Sequence, residues 1–181
     1  MIFIVVLLVS IFLLFIFLFN KLTRYKFLMQ EAWSGIDVQL KRRHDLIPNV
    51  ISAVKGYKEY ESKVLESVTS LRSQLDQPSD IKEKAILENN LSKGLKTIFA
   101  LAENYPDLKA NQSFLELQKT LIDIEDQIQM ARRYYNGCVR NFNIAVETIP
   151  GNVVAGIFNF KPASFFDIEY ATERKVPDVK F

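Results

Sequence analysis

The sequence predicts an all-α fold: an N-terminal transmembrane helix followed by an elongated antiparallel bundle of three long helices, with a short helical turn and an irregular C-terminal tail. Three observations predict it. An apolar run opens the chain, apolar residues recur with a helical period over its middle part, and proline or glycine ends each periodic stretch.

The composition limits the size of the fold and the class of partner. At 181 residues with 49% hydrophobic content, the chain has room for one ordinary domain and an additional segment. Its 23 basic and 21 acidic residues nearly balance, whereas binding to a phosphate backbone calls for a clear basic excess. We therefore expect no nucleic acid partner.

Residues 1–20 are predicted to be a transmembrane anchor. Residues 2–19 contain Ser10 as their only polar side chain, and the run is about as long as a helix that crosses a bilayer core. A cleaved signal peptide is the alternative, but no basic side chain precedes the run and no small-residue cleavage site follows it. The sequence therefore favours a retained anchor that contacts the membrane lipid bilayer through residues 2–19.

Basic residues predict the orientation of this anchor. Lys21, Arg24 and Lys26 follow the apolar run directly, whereas no charged side chain precedes it and only the free amino terminus opposes this bias. Lys and Arg favour the cytoplasmic side of a membrane. The sequence predicts a single-pass protein of the cell membrane with its N-terminus outside and its main body cytoplasmic.

Residues 21–150 are predicted to form the helical bundle. Stretches at about 21–75, 79–104 and 111–149 each place apolar residues on one arc, at about 100° per residue. The arcs contain, among others, Ile47, Val50 and Val54 in the first, Leu91, Leu95 and Ala102 in the second, and Leu121, Ile128 and Val139 in the third. Because the connections are short, sequential helices should lie antiparallel.

Residues 151–181 are predicted to form a C-terminal short helix and tail. The helical period fades after Pro150 and leaves one short helical turn near 152–158. Four aromatic side chains of this region are expected to dock on the bundle: Phe158, Phe160, Phe165 and Phe166.

The inward arcs also carry polar and charged side chains. The candidate buried polar network comprises Arg43, Glu61, Arg72, Glu103, Glu125, Arg132, Asn136 and Asn143. Glu88 lies near the inward arc of the second stretch. A lone buried charge costs several kcal/mol, so each of these groups must be paired or must line a hydrated groove.

We expect the three acids of this network to form ionic pairs with its three arginines between helices, and so to fix the register of the bundle. A ligand-binding or catalytic pocket is the alternative. The charges are spread along the helices rather than converging on one point, which favours structural pairing.

The side chains of common catalytic sites are scarce. His44 and Cys138 are the only histidine and the only cysteine, they belong to different predicted helices, and the six glycines form no phosphate-binding loop. We therefore treat both residues as incidental. The sequence predicts no catalytic residues, no cofactor, no metal site and no enzymatic activity.

Several motifs resemble those of the LemA family. They are Trp33, RRHDLIPN (42–49), Glu61, Arg72, AENYPDLKANQSF (102–114), Glu125, ARRYYN (131–136) and VPDVKF (176–181). AENYPDLKANQSF is far more specific than a general bundle pattern. The resemblance implies a bacterial-type single-pass membrane protein with a small N-terminus outside and a helical-bundle body. It implies no reaction.

These observations favour a non-enzymatic, membrane-anchored scaffold or interaction module of the bacterial cell envelope, with an unknown protein partner. The alternative is a small-molecule or peptide receptor that uses the inward Glu and Arg groups of the bundle. A third class is membrane remodelling through the anchor and Lys21, Arg24 and Lys26, although these residues are first of all ordinary topology signals.

Overall fold

The computed structural model describes residues 1–55, 62–77 and 80–166 of the chain. Within these residues the regular structure is entirely helical. The helices are α1 (Ile2–Lys55), α2 (Ser62–Leu75), α3 (Ile81–Ala102), α4 (Pro106–Lys109), α5 (Gln112–Glu147) and α6 (Gly151–Ile157). The predicted all-α class and the long apolar N-terminal helix are confirmed.

The helix boundaries refine the predicted ones. The predicted anchor and the start of the first bundle helix are one helix, α1, which runs through Pro48 to Lys55. Glu61 and the predicted continuation of this helix toward α2 lie outside the described residues. Where the sequence predicts a turn between α3 and α5, Pro106 starts the one-turn helix α4, because its fixed φ and missing N–H suit a first helical turn.

The chain divides into two compact units. Among the described residues, unit 1 contains residues 1–39 and 127–165, and unit 2 contains those within 40–126 together with Phe166. Helices α1 and α5 contribute one part to each unit. Helix α6 belongs to unit 1, and α2, α3 and α4 belong to unit 2.

The core of unit 1 joins side chains of α1, α5 and α6. Its buried centre consists of Leu22, Phe142, Val146, Val154 and Ala155. Phe15, Leu18, Phe19 and Phe160 pack around this centre. All side chains of residues 1–14, by contrast, are exposed.

Helix α1 is the one helix in the described part of the chain that is long and apolar enough to cross a membrane. No residue of its most apolar 18-residue window is buried within the protein. In the core helix of a soluble protein, such residues would be covered by neighbouring helices. The start of α1 is therefore not a core helix of this fold.

The C-terminal end of α6 is a Schellman motif. The N–H of Phe160 donates to the carbonyl of Ala155 at 2.9 Å, and the N–H of Asn159 donates to the carbonyl of Gly156 at 3.4 Å. Asn159 has a φ of 56°, a left-handed conformation that asparagine adopts more readily than most residues. This ending determines how the chain leaves α6 toward Phe160.

Two glycines mark close approaches between elements. A Cβ at Gly151 would overlap the main-chain carbonyl oxygen of Ala145 near the end of α5, so the contact between α6 and α5 requires glycine. A Cβ at Gly94 on α3 would lie 2.7 Å from Cγ2 of Val68 on α2. The second contact is against a side chain and is less restrictive than the first.

The core of unit 2 gathers apolar side chains from five helices. Its buried members are Ile47, Val50, Val54, Leu65, Val68, Leu75, Leu91, Leu95, Ile98, Ala102, Leu108, Phe114 and Leu121. Side-chain caps begin two of these helices: Asp80 accepts from the N–H of Glu83 at 2.7 Å, and Asn111 accepts from the N–H of Phe114 at 3.2 Å.

Candidate functional site

Arg43 carries a positive charge into the interior of unit 2. It lies four residues before Ile47 on the buried face of α1, and only 1% of its side chain is exposed. Its guanidinium forms ion pairs with Glu88 on α3 and with Glu125 on α5, and Nη1 lies 2.6 Å from Oε2 of Glu125. Nη1 also donates to Oγ of Ser92 at 2.5 Å. One side chain therefore links three helices.

Glu88 is the most deeply buried acid at this site. Its side chain is fully buried, and besides Arg43 it faces His44, whose Nε2 lies 3.0 Å from Oε1 of Glu88. Burial by itself raises the pKa of the Glu88 carboxyl, but the nearby His44 and the charge of Arg43 outweigh burial and hold this pKa below its ordinary value. Glu88 is therefore ionised at neutral pH.

We call these five residues the Arg43 cluster: Arg43, His44, Glu88, Ser92 and Glu125. Two carboxylates share one guanidinium, so the charges of Arg43, Glu88 and Glu125 sum to one net negative charge. Glu125 is 24% exposed, and its Oε1 accepts from Oγ of Ser92 at 3.1 Å. The solvent-facing end of the cluster is thus a carboxylate.

The Arg43 cluster opens into a groove of about 230 Å³. The polar residues that line it are Arg43, Ser92, Lys96, Glu125 and Asp126, and the apolar ones are Leu95, Phe99, Leu121 and Ile122. Pockets for drug-sized ligands begin at roughly 300 Å³. The groove is therefore suited to a small ligand or to one side chain of a peptide.

A second polar joint lies in unit 1 and is built from neutral groups. Nδ2 of Asn143 donates to the carbonyl oxygen of Ala163 at 2.9 Å, and Oδ1 of Asn143 accepts from the N–H of Ala163 at 2.8 Å. The hydroxyl of Tyr135 donates to the carbonyl of Ser164 at 3.0 Å, and burial raises the pKa of Tyr135, so the hydroxyl remains a donor at neutral pH. We call these contacts the Asn143 joint.

The structure brings two members of the predicted network together, Arg43 and Glu125. Glu103 requires a correction, because its side chain is 57% exposed and pairs with Lys109 rather than with an arginine of another helix. The reason is that α3 ends at Ala102 and Glu103 is its C-cap residue, so the predicted inward arc does not extend to Glu103.

The remaining predicted residues lie in different places. Arg72 is half-buried on α2, and its buried Nε has no hydrogen-bond acceptor among the described residues. Arg132 is buried on α5, Asn136 is half-buried on the same helix, and Asn143 belongs to the Asn143 joint. The predicted network is therefore divided between the two units.

Three members of the Arg43 cluster were not predicted as members of the network. Glu88 lies near the inward arc, and Ser92 follows it by four residues on the same face of α3, which is the signal that points to both. His44 was treated as incidental, yet it approaches the carboxylate of Glu88.

Within residues 1–55, 62–77 and 80–166, no group of three or more His, Cys, Asp or Glu side chains is arranged to hold a metal ion. Cys138 is a free thiol and is half-buried on α5.

Comparison with known proteins places these features in a family context. The chain matches the LemA family over residues 32–181. It is 31% identical over 141 residues to protein LemA of Metamycoplasma hominis, an alignment that covers 75% of this chain and 63% of that protein.

Two further relatives are magnetosome protein MamQ 2 of Paramagnetospirillum magneticum and magnetosome protein MamQ of Magnetospirillum gryphiswaldense. They are 23% and 22% identical over 163 residues, which cover 76% of this chain and 60% of each relative. The chain thus spans less than two thirds of the length of these curated relatives.

Proposed function

Because the chain belongs to the LemA family, we propose that it is a single-pass, membrane-anchored helical protein that acts as a non-enzymatic scaffold or interaction module at the bacterial cell envelope. In this proposal residues 2–19 cross the bilayer and the rest of the chain forms the body. The observation that carries it is the start of α1, whose first side chains are apolar and entirely exposed. Exposed apolar surface costs about 25 cal/mol per Å² in water, and a bilayer removes this cost.

Aromatic contacts support an anchor that is retained. The ring of Phe158 lies 5.9 Å from that of Phe15 and 4.5 Å from that of Phe19, and Phe160 lies 6.1 Å from Phe19. Cleavage after the apolar run would remove one partner from each of these pairs. The intact mass of the protein extracted from membranes should therefore include residues 1–20, and a mass that lacks them would contradict a retained anchor.

The basic residues after the span support a cytoplasmic body. Lys21, Arg24 and Lys26 are all placed just beyond the apolar run. A reporter enzyme that is active only in the cytoplasm should be active when fused after Phe181, and a reporter that requires export should be inactive. The opposite pattern would overturn the orientation and leave the membrane span in place.

The arrangement of α5 supports a role in binding another protein. On the inner side of α5, Glu125 belongs to the Arg43 cluster, whose charges join helices and therefore have a structural role. On the outer surface, Leu115 and Ile122 are 40% and 53% exposed and lie seven residues apart, on one stripe of α5. Such a stripe is suited to packing against a helix of a partner.

Site-specific photocrosslinking of the full chain in bacterial membranes tests the scaffold role. A photoreactive phenylalanine analogue replaces Leu115 or Ile122, and the matched control carries it at Thr120, which is exposed about 200° around α5 from Ile122. A protein captured from 115 and 122 but not from 120 is the expected result. Equal capture from all three positions, or no reproducible capture, would contradict a specific partner on this stripe.

The groove beside the Arg43 cluster favours a second candidate function, a receptor for a small molecule or a peptide side chain. Its carboxylates, Glu125 and Asp126, are suited to a cationic group, and its apolar side chains, such as Phe99 and Leu121, are suited to an apolar one. Small amines and basic peptides should then raise the melting temperature of the full-length protein in detergent. The increase should be lost in Glu125→Gln and kept in Glu103→Gln, and an increase that survives in both variants would exclude this groove as the site.

A further inference from the structure

Helix α6 and the residue pair that precedes it expose an apolar surface. The exposed fractions are 82% for Ile149, 61% for Val153, 63% for Ile157 and 47% for Phe158. Val153 and Ile157 are four residues apart and therefore share one face of α6. Soluble surfaces seldom group large apolar side chains in this way, so this face calls for a covering partner.

The contacts of Phe158 show at which level of the anchor this surface lies. Its ring touches Phe15 and Phe19, which both belong to the apolar run 2–19. With a rise of about 1.5 Å per residue, Phe15 lies about 6 Å inside the end of that run. The exposed face of α6 therefore begins beside the last turns of the membrane-spanning segment.

The opposite side of the same element lies at the level of the basic residues. Val154 and Ala155 of α6 are buried in the same core cluster as Leu22, and the ring of Phe160, just after α6, lies 5.9 Å from Nζ of Lys26. Lysines directly after a span lie at the level of the lipid headgroups. Helix α6 thus occupies the boundary between the acyl chains and the headgroups, where interfacial helices bury one apolar face.

We propose that α6 is a second membrane contact, in which Ile149, Val153, Ile157 and Phe158 enter the outer acyl region of the leaflet that surrounds the C-terminal end of the anchor. Phospholipid is the partner, and the argument for it is the direct continuity of this face with the span. The inference rests on the membrane span proposed above and goes beyond it, because it assigns lipid contact to a segment far from the anchor in sequence.

Depth measurement by spin labelling tests this inference on the full-length protein. The background is Cys138→Ser, and a nitroxide is attached after Val153→Cys or Ile157→Cys in vesicles of phosphatidylcholine and phosphatidylglycerol. Leu8→Cys lies in the middle of the apolar run and reports whether the span itself is in lipid. Val38→Cys is exposed on α1 about 28 Å beyond the end of the run and reports water.

The measured quantity is the ratio of collisions with oxygen, which concentrates in lipid, to collisions with a water-soluble nickel chelate. We expect this ratio at 153 and 157 to be several-fold higher than at 38 and lower than at 8. A ratio at 153 and 157 equal to that at 38, with position 8 in lipid, would overturn the contact of α6 alone. Low collision rates with both reagents at 153 and 157 would also overturn it, since protein would then cover the face.

If position 8 itself reports water, the membrane span fails and the α6 contact fails with it. The two hypotheses are therefore distinguishable in one set of labelled proteins.

Discussion

Helix α5 carries a polar joint in each of the two units, and the two joints are built from different chemistry. In unit 2, Glu125 belongs to a charged cluster in which Arg43 and Glu88 are almost fully buried. In unit 1, Asn143 forms a pair of neutral hydrogen bonds with the main chain of Ala163. The charged joint depends on the identity of every partner, whereas the neutral joint depends on two side chains, Asn143 and Tyr135, and otherwise on main-chain groups.

This difference predicts that removing one member has unequal costs in the two joints. A buried charge that loses its partner destabilises the fold by the full free energy of removing that charge from water. An amide that loses its partner destabilises it much less.

The largest effect is expected from Arg43→Met, which leaves Glu88 buried without its cation. We expect the free energy of unfolding of the full-length protein in detergent, measured by denaturant titration with circular dichroism, to fall by about 3–5 kcal/mol. Adding Glu88→Leu should recover much of the lost free energy of unfolding, because an apolar pair of similar volume replaces a buried ion pair at little cost.

The control for this prediction is Glu103→Gln, which removes a largely exposed ion pair with Lys109 and should change the free energy of unfolding by less than about 1 kcal/mol. If Arg43→Met cost no more than this control, the charged joint would not depend on its arginine.

A smaller effect is expected from Asn143→Ala, which leaves the N–H and the carbonyl of Ala163 without their side-chain partner. We expect a loss of about 1–3 kcal/mol and faster hydrogen exchange of the Ala163 amide. Asn141, exposed on the same helix, provides the matched control, and Asn141→Ala should stay within about 0.5 kcal/mol of the unaltered protein. Equal exchange rates in the two variants would show that the amide pair does not hold residue 163.

Alanine substitutions at two glycines, one in each unit, are expected to change the free energy of unfolding differently. Gly94→Ala introduces a Cβ 2.7 Å from Val68, and overpacking of about 1–3 kcal/mol exceeds or balances the gain in helix propensity of about 1 kcal/mol. A Cβ at Gly137 on α5 meets no atom within 4 Å, so Gly137→Ala should stabilise the protein by about 0.5–1 kcal/mol. Melting temperatures that move in the same direction would contradict the close approach of α2 and α3.

The smallest effect is expected from protonation of Glu88, because it removes a charge and leaves the packing intact. The pKa of Glu88 is lower in the folded state than in the unfolded state, where an ordinary glutamate titrates at about 4.3. Its contribution is therefore fully present above this pH and is lost as the pH falls through the lower folded-state pKa. The stability difference between the unaltered protein and Glu88→Gln should narrow in this acidic range, and a difference that is constant with pH would contradict the shift.

The fold follows from periodicity wherever a helix is long enough to show it. Ile47, Val50 and Val54 share one predicted arc and are buried in unit 2. Helix α4 has a single turn and no period to detect, so the sequence indicated only a connection there. The arc of the second stretch misplaced Glu103, because periodicity does not reveal at which residue a helix stops.

The sequence predicted the candidate site less completely than the fold. Inward arcs identify Arg43 and Glu125. Whether Glu88 or Glu103 pairs with Arg43 depends on the level at which the helices meet, which the arcs do not reveal. The partner of Asn143 is a pair of main-chain groups, which every residue possesses and which therefore carry no signal. Of the predicted acids, Glu61 lies outside the described residues, and its pairing stays a prediction.

The aromatic contact of Phe158 with Phe15 and Phe19 has a consequence for biosynthesis. The two anchor rings leave the ribosome about 140 residues before Phe158 does. With the proposed span, the insertion machinery has already delivered the anchor to the lipid before its aromatic partner exists. Unit 1 would then complete its folding at the membrane, and copies that miss insertion should accumulate as incompletely folded substrates of chaperones and proteases.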